Sequence, residues 1–224
     1  MTINEVFGLR NQGRKEEAYE AARAIYASDK SPYASTAMFW TAVDMLKMRA
    51  SEDHIEEATK IYLALERLLA NLKDEKRWMH DALDKCHTLI EKGEKRTKQL
   101  ADGPKHIQTG IWGEELAAVY LREKGYVILE RDWHSKHRDI DIIAQQDELL
   151  VFVEVKTRRS RDFGEPLLSI NYQKQKNLLR AINHYIHYRK SDNPWRFDVI
   201  TVVGKIDSAM PEIEHIEDFR LNCR

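Results

Sequence analysis

Cysteine is scarce in this 224-residue chain, which contains only Cys86 and Cys223. Two cysteines cannot build the disulfide framework of a small secreted protein, and a reducing cytosol is their natural setting. Long hydrophobic runs are also missing: no stretch of about 18 apolar residues occurs, which predicts that no segment spans a membrane. The first residues, MTINEVFGLR, lack the basic-then-apolar order of a signal peptide, so we expect a cytoplasmic protein with no membrane partner.

A large net charge is missing as well, since 36 Lys and Arg residues stand against 37 Asp and Glu residues. The chain is therefore not globally basic, but its charge is unevenly distributed. Residues 156–196 contain 10 basic and 3 acidic residues, whereas residues 207–218 contain five acidic and no basic ones. A basic surface for a polyanion beside an acidic segment would give this pattern, and so would a solvated helix face beside a random terminal cluster.

The first hundred residues have a helical pattern, in which apolar residues recur every three or four positions. Breaks divide this pattern at residues 12–13, 28–32 and 51–53. The triplet Glu16-Glu17-Ala18 returns as Glu56-Glu57-Ala58, a spacing of 40, whereas a tetratricopeptide repeat has a period of about 34. We therefore predict an all-α domain of tetratricopeptide-like helical hairpins over residues 1–103. Such arrays usually bind proteins, so a protein partner is expected here.

The pattern changes after a charged stretch, residues 91–103, which is predicted to be a linker that ends at the break Asp102-Gly103-Pro104. Helices are predicted over residues 110–124 and 173–189. Strands are predicted over residues 126–131, 140–144, 149–156 and 196–203. The order helix, three strands, helix, strand indicates an α/β domain with a mixed sheet over residues 104–224.

Two charged residues interrupt the most apolar of these strands, Val151 to Lys156. Alternation places its valines on one face and Phe152, Glu154 and Lys156 on the other. In the preceding strand, Asp139 and Asp141 are expected to share the face opposite Ile140 and Ile142. A turn centred on Gln146-Asp147 would set Asp141 beside positions 152–153, so that Asp141 and Glu154 project within reach of one ion.

Clustered carboxylates are hard oxygen ligands of the kind that hold Mg²⁺ or Mn²⁺. Lys156, next to Glu154 on the same face, can orient a water molecule or stabilise a charged transition state. An ordinary salt bridge of Asp141 or Glu154 with Lys156 explains the same residues, and it is the more frequent reason for such a pattern.

The spacing of Asp141, twelve residues, and Glu154-Val155-Lys156 resembles the core of the PD-(D/E)XK nuclease superfamily. Further segments resemble the YraN family, an uncharacterised family of small bacterial endonuclease candidates, over residues 109–204. These segments are Gly113–Ala117, Gly125–Tyr126, Arg138–Ala144, Val151–Arg158, Phe163–Gly164, Lys174–Lys176 and Arg196–Val199. The resemblance implies a restriction-endonuclease-like core for this domain.

The resemblance also implies roles by position. Asp141 and Glu154 would bind the metal directly, Glu114 would act on it from the first helix of the domain, and Lys156 would be the catalytic lysine. Asp139 stands where the family often has Glu, and the residues that would support the site are Asp139, Thr157, Arg158 and Lys174. Five basic side chains can contact phosphates without regard to base sequence: Arg158, Arg159, Lys174, Lys176 and Arg180. Each can equally be a solvated surface charge.

The function expected from these features is metal-dependent hydrolysis of phosphodiester bonds in DNA, and the superfamily resemblance adds branched DNA as a substrate. The alternative is a catalytically weak module that binds DNA or RNA, joined to a helical protein-interaction domain.

Overall fold

The computed structural model describes residues 1–72, 76–135, 138–160, 171–206 and 208–221. The chain divides by its internal contacts into two compact units, Met1–Arg96 and Thr97–Arg224. This division falls seven residues before the domain boundary that the sequence predicts. The predicted linker is wrong for residues 91–102, because they are helical and belong to a helix that begins at Arg77.

The Met1–Arg96 unit is all-α, as predicted. Its helices are α1 (Ile3–Asn11), α2 (Lys15–Ser28), α3 (Pro32–Ser51), α4 (Ile55–Ala70) and α5 (Arg77–Asp102), of which α5 continues past Arg96. Helix α3 begins where the sequence indicates, because Pro32 occupies its first turn and the Ser31 hydroxyl accepts a hydrogen bond from the Ala34 N–H at 3.3 Å.

The sequence repeat corresponds to a repeated turn and helix. Helices α2 and α4 begin 40 residues apart, and the residues two positions before them, Gly13 and Asp53, both have left-handed backbones with φ of 76° and 61°. Ala18 and Ala58 then take equivalent buried positions. The core of this unit lies among α3, α4 and α5 and includes Phe39, Val43, Leu46, Leu65, Leu69, Met79 and Cys86.

The Thr97–Arg224 unit is α/β. It consists of α6 (Lys105–Glu123), β1 (Val127–Ser135), β2 (Arg138–Gln146), β3 (Leu149–Arg158), α7 (Tyr172–Arg189), β4 (Trp195–Val203) and β5 (Glu212–Ile216). The strands form one sheet in the order β1-β2-β3-β4-β5. Among the described strands, β3 and β4 pair in parallel and the other neighbours are antiparallel. This confirms the predicted mixed sheet, in which α7 supplies the crossover that a parallel pair needs.

Strand β5 lies outside the predicted strands, and its sequence, Glu-Ile-Glu-His-Ile, belongs to the acidic segment of residues 207–218. The strand is short and lies at the edge of the sheet, where one side of each residue faces solvent. Such strands contain few of the buried apolar residues by which a strand is recognised in a sequence.

The sheet separates two cores. Helix α6 packs with Val151, Val153 and Val155 on one face, while α7 packs with Phe152 on the other, which confirms the alternation predicted for β3. The prediction for β2 is wrong in one respect: Ile140 lies in the core beside α7 and Ile142 in the core beside α6. Regular alternation is therefore interrupted between them, at Asp141.

No helix within the described ranges combines the length and the hydropathy that a membrane crossing requires.

Candidate active site

The candidate site lies where two neighbouring strands separate. The ladder between β2 and β3 runs from Gln146 and Leu149 to Ile142 and Val153. Beyond Val153, β3 stays paired with β4 as far as Arg158, while β2 stays paired with β1. In the part of the chain that the structure describes, β2 and β3 thus form a fork that opens after Ile142 and Val153.

Asp141 and Glu154 are the first residues beyond the last pair of this ladder, so they lie level with each other at the base of the fork. The predicted register is wrong, because the turn centres on Asp147-Glu148, one residue later than expected. The residue level with Asp141 is therefore Glu154 and not one of residues 152–153. The Asp141 side chain turns towards β3, where its Oδ2 accepts a hydrogen bond from the Val155 N–H at 2.7 Å. This bond replaces a ladder bond and explains the loss of alternation in β2.

The Glu154 carboxylate is buried, with 1% of its side chain exposed. Its Oε1 accepts from the Lys156 ammonium group at 2.5 Å and lies 3.1 Å from the ammonium group of Lys174 on α7. Its Oε2 is also buried, and among the described residues it has no hydrogen-bond partner. A buried carboxylate oxygen without a partner is costly, so this atom marks a position where a cation would be stabilised.

Glu114 reaches the fork from α6. The preceding residue, Gly113, lies so close to β3 that a Cβ added to it would stand 1.9 Å from Oγ1 of Thr157. Only a residue without a side chain permits this approach, which brings the half-buried Glu114 near Asp141. The neighbouring Glu115 forms two hydrogen bonds of 2.9 Å with Arg131 on β1 and thereby ties α6 to the sheet.

The electrostatics of Asp141 reflect these neighbours. Burial raises the pKa of the Asp141 carboxyl well above its ordinary value, and the charges of Glu154 and Glu114 raise it further. The hydrogen bond from Val155 and the charge of Lys174 offset only part of this effect. Burial and the charges of these two carboxylates thus disfavour the ionised form of Asp141.

Lys174 was predicted as a phosphate contact of α7, but its ammonium group lies in the carboxylate cluster. It is 3.1 Å from Glu154 Oε1 and 3.8 Å from Asp139 Oδ1. Burial alone would lower the pKa of Lys174, yet the charges of Glu154, Asp139 and Asp141 outweigh burial and raise it. Lys174 is therefore a protonated part of the candidate site.

The remaining predicted residues lie around the fork. Asp139 is exposed near the beginning of β2, and Thr157 packs against Gly113. The half-buried guanidinium of Arg158 donates to the Thr157 carbonyl at 3.2 Å, and Arg159 is exposed just after it. On α7, Lys176 is half-buried and Arg180 exposed. The Phe163-Gly164 motif lies outside the described residues.

The fit of a divalent cation can be judged from the donor atoms. Within the described residues, no three Asp, Glu, His or Cys side chains already form a group able to hold a metal ion. Mg²⁺, however, is commonly held by one or two carboxylates and completes its shell with water and substrate oxygens. Asp141 and the unpartnered Oε2 of Glu154 match that donor set, so the residues present fit a hard divalent cation.

A second buried charged cluster, which sequence reasoning missed, joins β4 to β5. Arg196 makes two hydrogen bonds of 2.8 Å to the fully buried Asp198, and His215 lies 2.8 Å from the same carboxylate. Burial would raise the pKa of Asp198, but hydrogen bonds from His215, Arg196 and the Asp218 N–H outweigh burial and lower it. The Arg-x-Asp spacing, which puts both side chains on one face of a strand, was the available signal.

The fold and the fork define an α/β domain with a charged site at the open side of a mixed sheet. The uncharacterised protein family UPF0102 matches residues 113–202, which include Glu114, Asp141, Glu154 and Lys156. A UPF0102 protein of Clostridium perfringens is 42% identical over 110 residues, which cover 90% of that protein and 49% of this chain. One of Thermodesulfovibrio yellowstonii is 45% identical over 112 residues, which cover 95% of that protein and 50% of this chain.

A UPF0102 protein of Syntrophomonas wolfei gives the same result, with 42% identity over 110 residues that cover 94% of that protein. Nearly the whole of each relative is thus matched by about half of this chain. The chain belongs to the UPF0102 family, which its second half represents.

Proposed function

We propose that the Thr97–Arg224 unit is a metal-dependent endonuclease of the PD-(D/E)XK type, which hydrolyses phosphodiester bonds in DNA, including branched DNA. The observation that carries this proposal is the buried, unpartnered Oε2 of Glu154 beside Asp141, whose pKa is raised by burial and by two further carboxylates. Such a cluster destabilises the fold unless a cation compensates it, so a function that requires the cation is the simplest reason for it.

In this proposal Asp141 and Glu154 hold the Mg²⁺ or Mn²⁺ ion, and Glu114 adds negative charge from α6. The bound ion would acidify a water molecule and offset the charge that develops on the phosphate. Glu154 would bind the ion through Oε2, because Oε1 already accepts a hydrogen bond from Lys156. The Val155 N–H holds Oδ2 of Asp141, which fixes the orientation of the other ligand.

Lys156 supplies the positive charge nearest to the ligands. Its ammonium group is 2.5 Å from Oε1 of Glu154, and 20% of the Lys156 side chain is exposed. Lys156 therefore contacts both the carboxylate and the solvent that a substrate would displace. From that position it can orient the attacking water or stabilise the charged phosphate in the transition state. Exposed basic groups at Arg159 and Arg180, with the half-buried Arg158 and Lys176, would contact the DNA backbone.

One observation favours the alternative function, a module that binds nucleic acid without cleaving it. Lys156 and Lys174 both lie against Glu154 Oε1, so two ammonium groups already compensate this carboxylate. An internal salt bridge of this kind can serve the fold alone. The basic side chains around the fork would then bind DNA or RNA while no hydrolysis takes place.

Cleavage assays separate the two functions. The full chain is incubated with linear double-stranded, single-stranded and four-way-junction DNA in Mg²⁺, Mn²⁺ or EDTA. We expect cleavage that EDTA abolishes and that Glu154→Gln and Lys156→Met each reduce by at least about 100-fold. Glu148→Gln, an exposed carboxylate in the β2–β3 turn, is the matched control and should cleave normally.

The outcomes distinguish the proposals clearly. Cleavage that persists undiminished in Glu154→Gln would rule out the assigned site. Binding of DNA by the wild-type chain without cleavage of any substrate in either metal would favour the binding module.

For the Met1–Arg96 unit we propose a protein-binding role of the kind common to tetratricopeptide-like hairpins. The observation that supports it is a groove between α1 and α2, lined by Gly8, Leu9, Ala21, Ala24 and Ile25 among others. A partner captured by the full chain should be lost with Ala24→Glu, which fills the groove. It should be retained with Ala27→Glu, which alters an exposed residue of the same helix outside the groove.

A further inference from the structure

Two ammonium groups share one oxygen of Glu154 while the other oxygen has none. Lys156 and Lys174 both lie within 3.1 Å of Oε1, and Oε2 is buried without a partner among the described residues. The oxygen has lone pairs for both ammonium groups, but two like charges at one atom repel each other. The arrangement suggests that one of the two cations occupies this place only conditionally.

Of the two lysines, Lys174 is the more easily removed. Lys156 belongs to the same strand as Glu154, is two residues away, and makes the shorter contact of 2.5 Å. Lys174 comes from the first turn of α7 and makes longer contacts of 3.1 Å with Glu154 and 3.8 Å with Asp139. Its backbone N–H donates to Oδ1 of the N-cap residue Asn171 at 2.9 Å, so the helix start is held independently of the side chain.

We propose that Lys174 is a displaceable counter-ion of the acidic fork: its ammonium group neutralises Glu154 and Asp139 while no divalent cation is bound, and it leaves them when one binds. This inference rests on the proposed metal site and adds a regulatory element to it. Lys174 is thereby distinguished from Lys156, which stays with Glu154 in both states, and from the phosphate-contacting side chains of α7.

A displaceable Lys174 would affect metal binding in the opposite way to a lysine that supports the site. A divalent cation and an ammonium group repel each other and compete for the same carboxylates. Removing the charge of Lys174 should therefore strengthen metal binding, although it takes away two contacts of the metal-free protein. A lysine that merely positions Glu154 as a ligand would give the opposite result, since its loss would weaken metal binding.

Binding of Mn²⁺ to the full chain, measured from the loss of the free-ion signal in electron paramagnetic resonance, tests this directly. We expect Lys174→Met to bind Mn²⁺ roughly tenfold more tightly than the wild type. Lys174→Arg keeps the charge and should stay within about twofold of the wild type. Lys190→Met is the matched control, because Lys190 is an exposed lysine at the other end of α7, and it should change the affinity little.

Thermal unfolding supplies a second readout. In EDTA, Lys174→Met should unfold at a lower temperature than the wild type, because Glu154 and Asp139 lose a counter-ion. In saturating Mn²⁺ the difference should disappear, whereas a purely structural role would lower the unfolding temperature equally in both conditions. If Lys174→Met does not fold, labelling of the wild-type chain with acetic anhydride replaces it: Mn²⁺ should increase modification of Lys174 relative to Lys190.

The failures of the two proposals are distinguishable. If the wild type binds Mn²⁺ but Lys174→Met binds it equally or more weakly, or Mn²⁺ leaves the labelling of Lys174 unchanged, the displacement is refuted and the metal site stands. If neither the wild type nor any variant binds Mn²⁺, the proposed metal site itself is refuted.

Discussion

Gly113 of α6 lies against Thr157 of β3, with room for no Cβ: one added there would stand 1.9 Å from Oγ1 and 2.9 Å from Cβ of the threonine. Interior packing transmits a change of this size, because few voids exist to absorb it. The contact sets how closely the following residue, Glu114, can approach Asp141 from the other side of the sheet.

Gly113→Ala should therefore push α6 away from β3, lower the free energy of unfolding by about 1–3 kcal/mol, and weaken Mn²⁺ binding as Glu114 withdraws. Gly110→Ala on the same helix is the matched control, because a Cβ there meets open space. It should stabilise the protein by up to about 1 kcal/mol through helix propensity alone. Chemical denaturation of both variants checks this, and equal effects would contradict the proposed contact.

The contact between Gly113 and Thr157 is a kind of feature that the sequence does not predict, whereas most strands and α7 were predictable. The strands and α7 were predictable because their apolar residues follow the periods of strands and helices. The proximity of Asp141 and Glu154 was predicted, but the register was set one to two residues off, because it depends on the turn, in which Asp147 takes a left-handed φ of 52°. An acidic or amide residue tolerates this backbone, but nothing local requires it.

Tertiary neighbours were the least predictable part of the site. Glu114 entered only through resemblance to a family, since no pattern within α6 relates it to a strand that begins 35 residues later. Lys174 was predicted to support the site or to contact phosphate, but its contact with Glu154 could not be predicted, because it depends on how α7 packs across the sheet. Asp141 was predicted to belong to the site, but the hydrogen bond that it accepts from the Val155 N–H was not, because that bond depends on where β2 and β3 separate.

Asp141→Asn should stabilise the metal-free protein at neutral pH while it abolishes metal binding and cleavage. Burial and the charges of Glu154 and Glu114 raise the pKa of Asp141, so its contribution to stability is fully present below the unfolded value of about 3.9 and is lost as the pH rises through the folded value. Asparagine carries no charge and can still accept from the Val155 N–H. We expect a gain on the order of 1 kcal/mol in urea denaturation at pH 7 in EDTA.

The same measurement in saturating Mg²⁺ is the control. The wild type should gain stability from the ion and the variant should not, because a ligand that binds only the folded state stabilises it. Lower stability of Asp141→Asn in EDTA would show that the aspartate serves the fold and not the metal.

The contribution of Asp198 to stability should depend on pH in the opposite direction to that of Asp141. Burial would raise the pKa of Asp198, but hydrogen bonds from His215 and Arg196 lower it. The stability that Asp198 contributes is therefore present above its unfolded pKa of about 3.9 and is lost as the pH falls through the lowered folded pKa. Asp198→Asn should cost about 3 kcal/mol at neutral pH, because Arg196 loses its buried partner. The variant should also lose the acid-induced decline that this group causes.

The control for this cluster is Glu217→Gln, since Glu217 is an exposed partner of Arg196 at 2.8 Å and should matter by less than about 1 kcal/mol. Denaturation curves between about pH 2 and 5, recorded in the Asp141→Asn background so that the two aspartates do not overlap, check the sign. An unchanged acid decline in Asp198→Asn would show that other groups cause it.

The salt dependence of DNA binding tests whether α7 contacts the phosphate backbone of the DNA. Each phosphate contact that is lost should reduce the slope of log K against log salt by about 0.9 for duplex DNA, so Lys176→Gln and Arg180→Gln should each give a shallower slope. Lys190→Gln is the control, because Lys190 lies about 15 Å or more along the helix from both residues, beyond the screening length at physiological salt. Fluorescence anisotropy in EDTA, where cleavage is not expected, gives the three slopes. Equal slopes for all three variants and the wild type would place the DNA elsewhere on the domain.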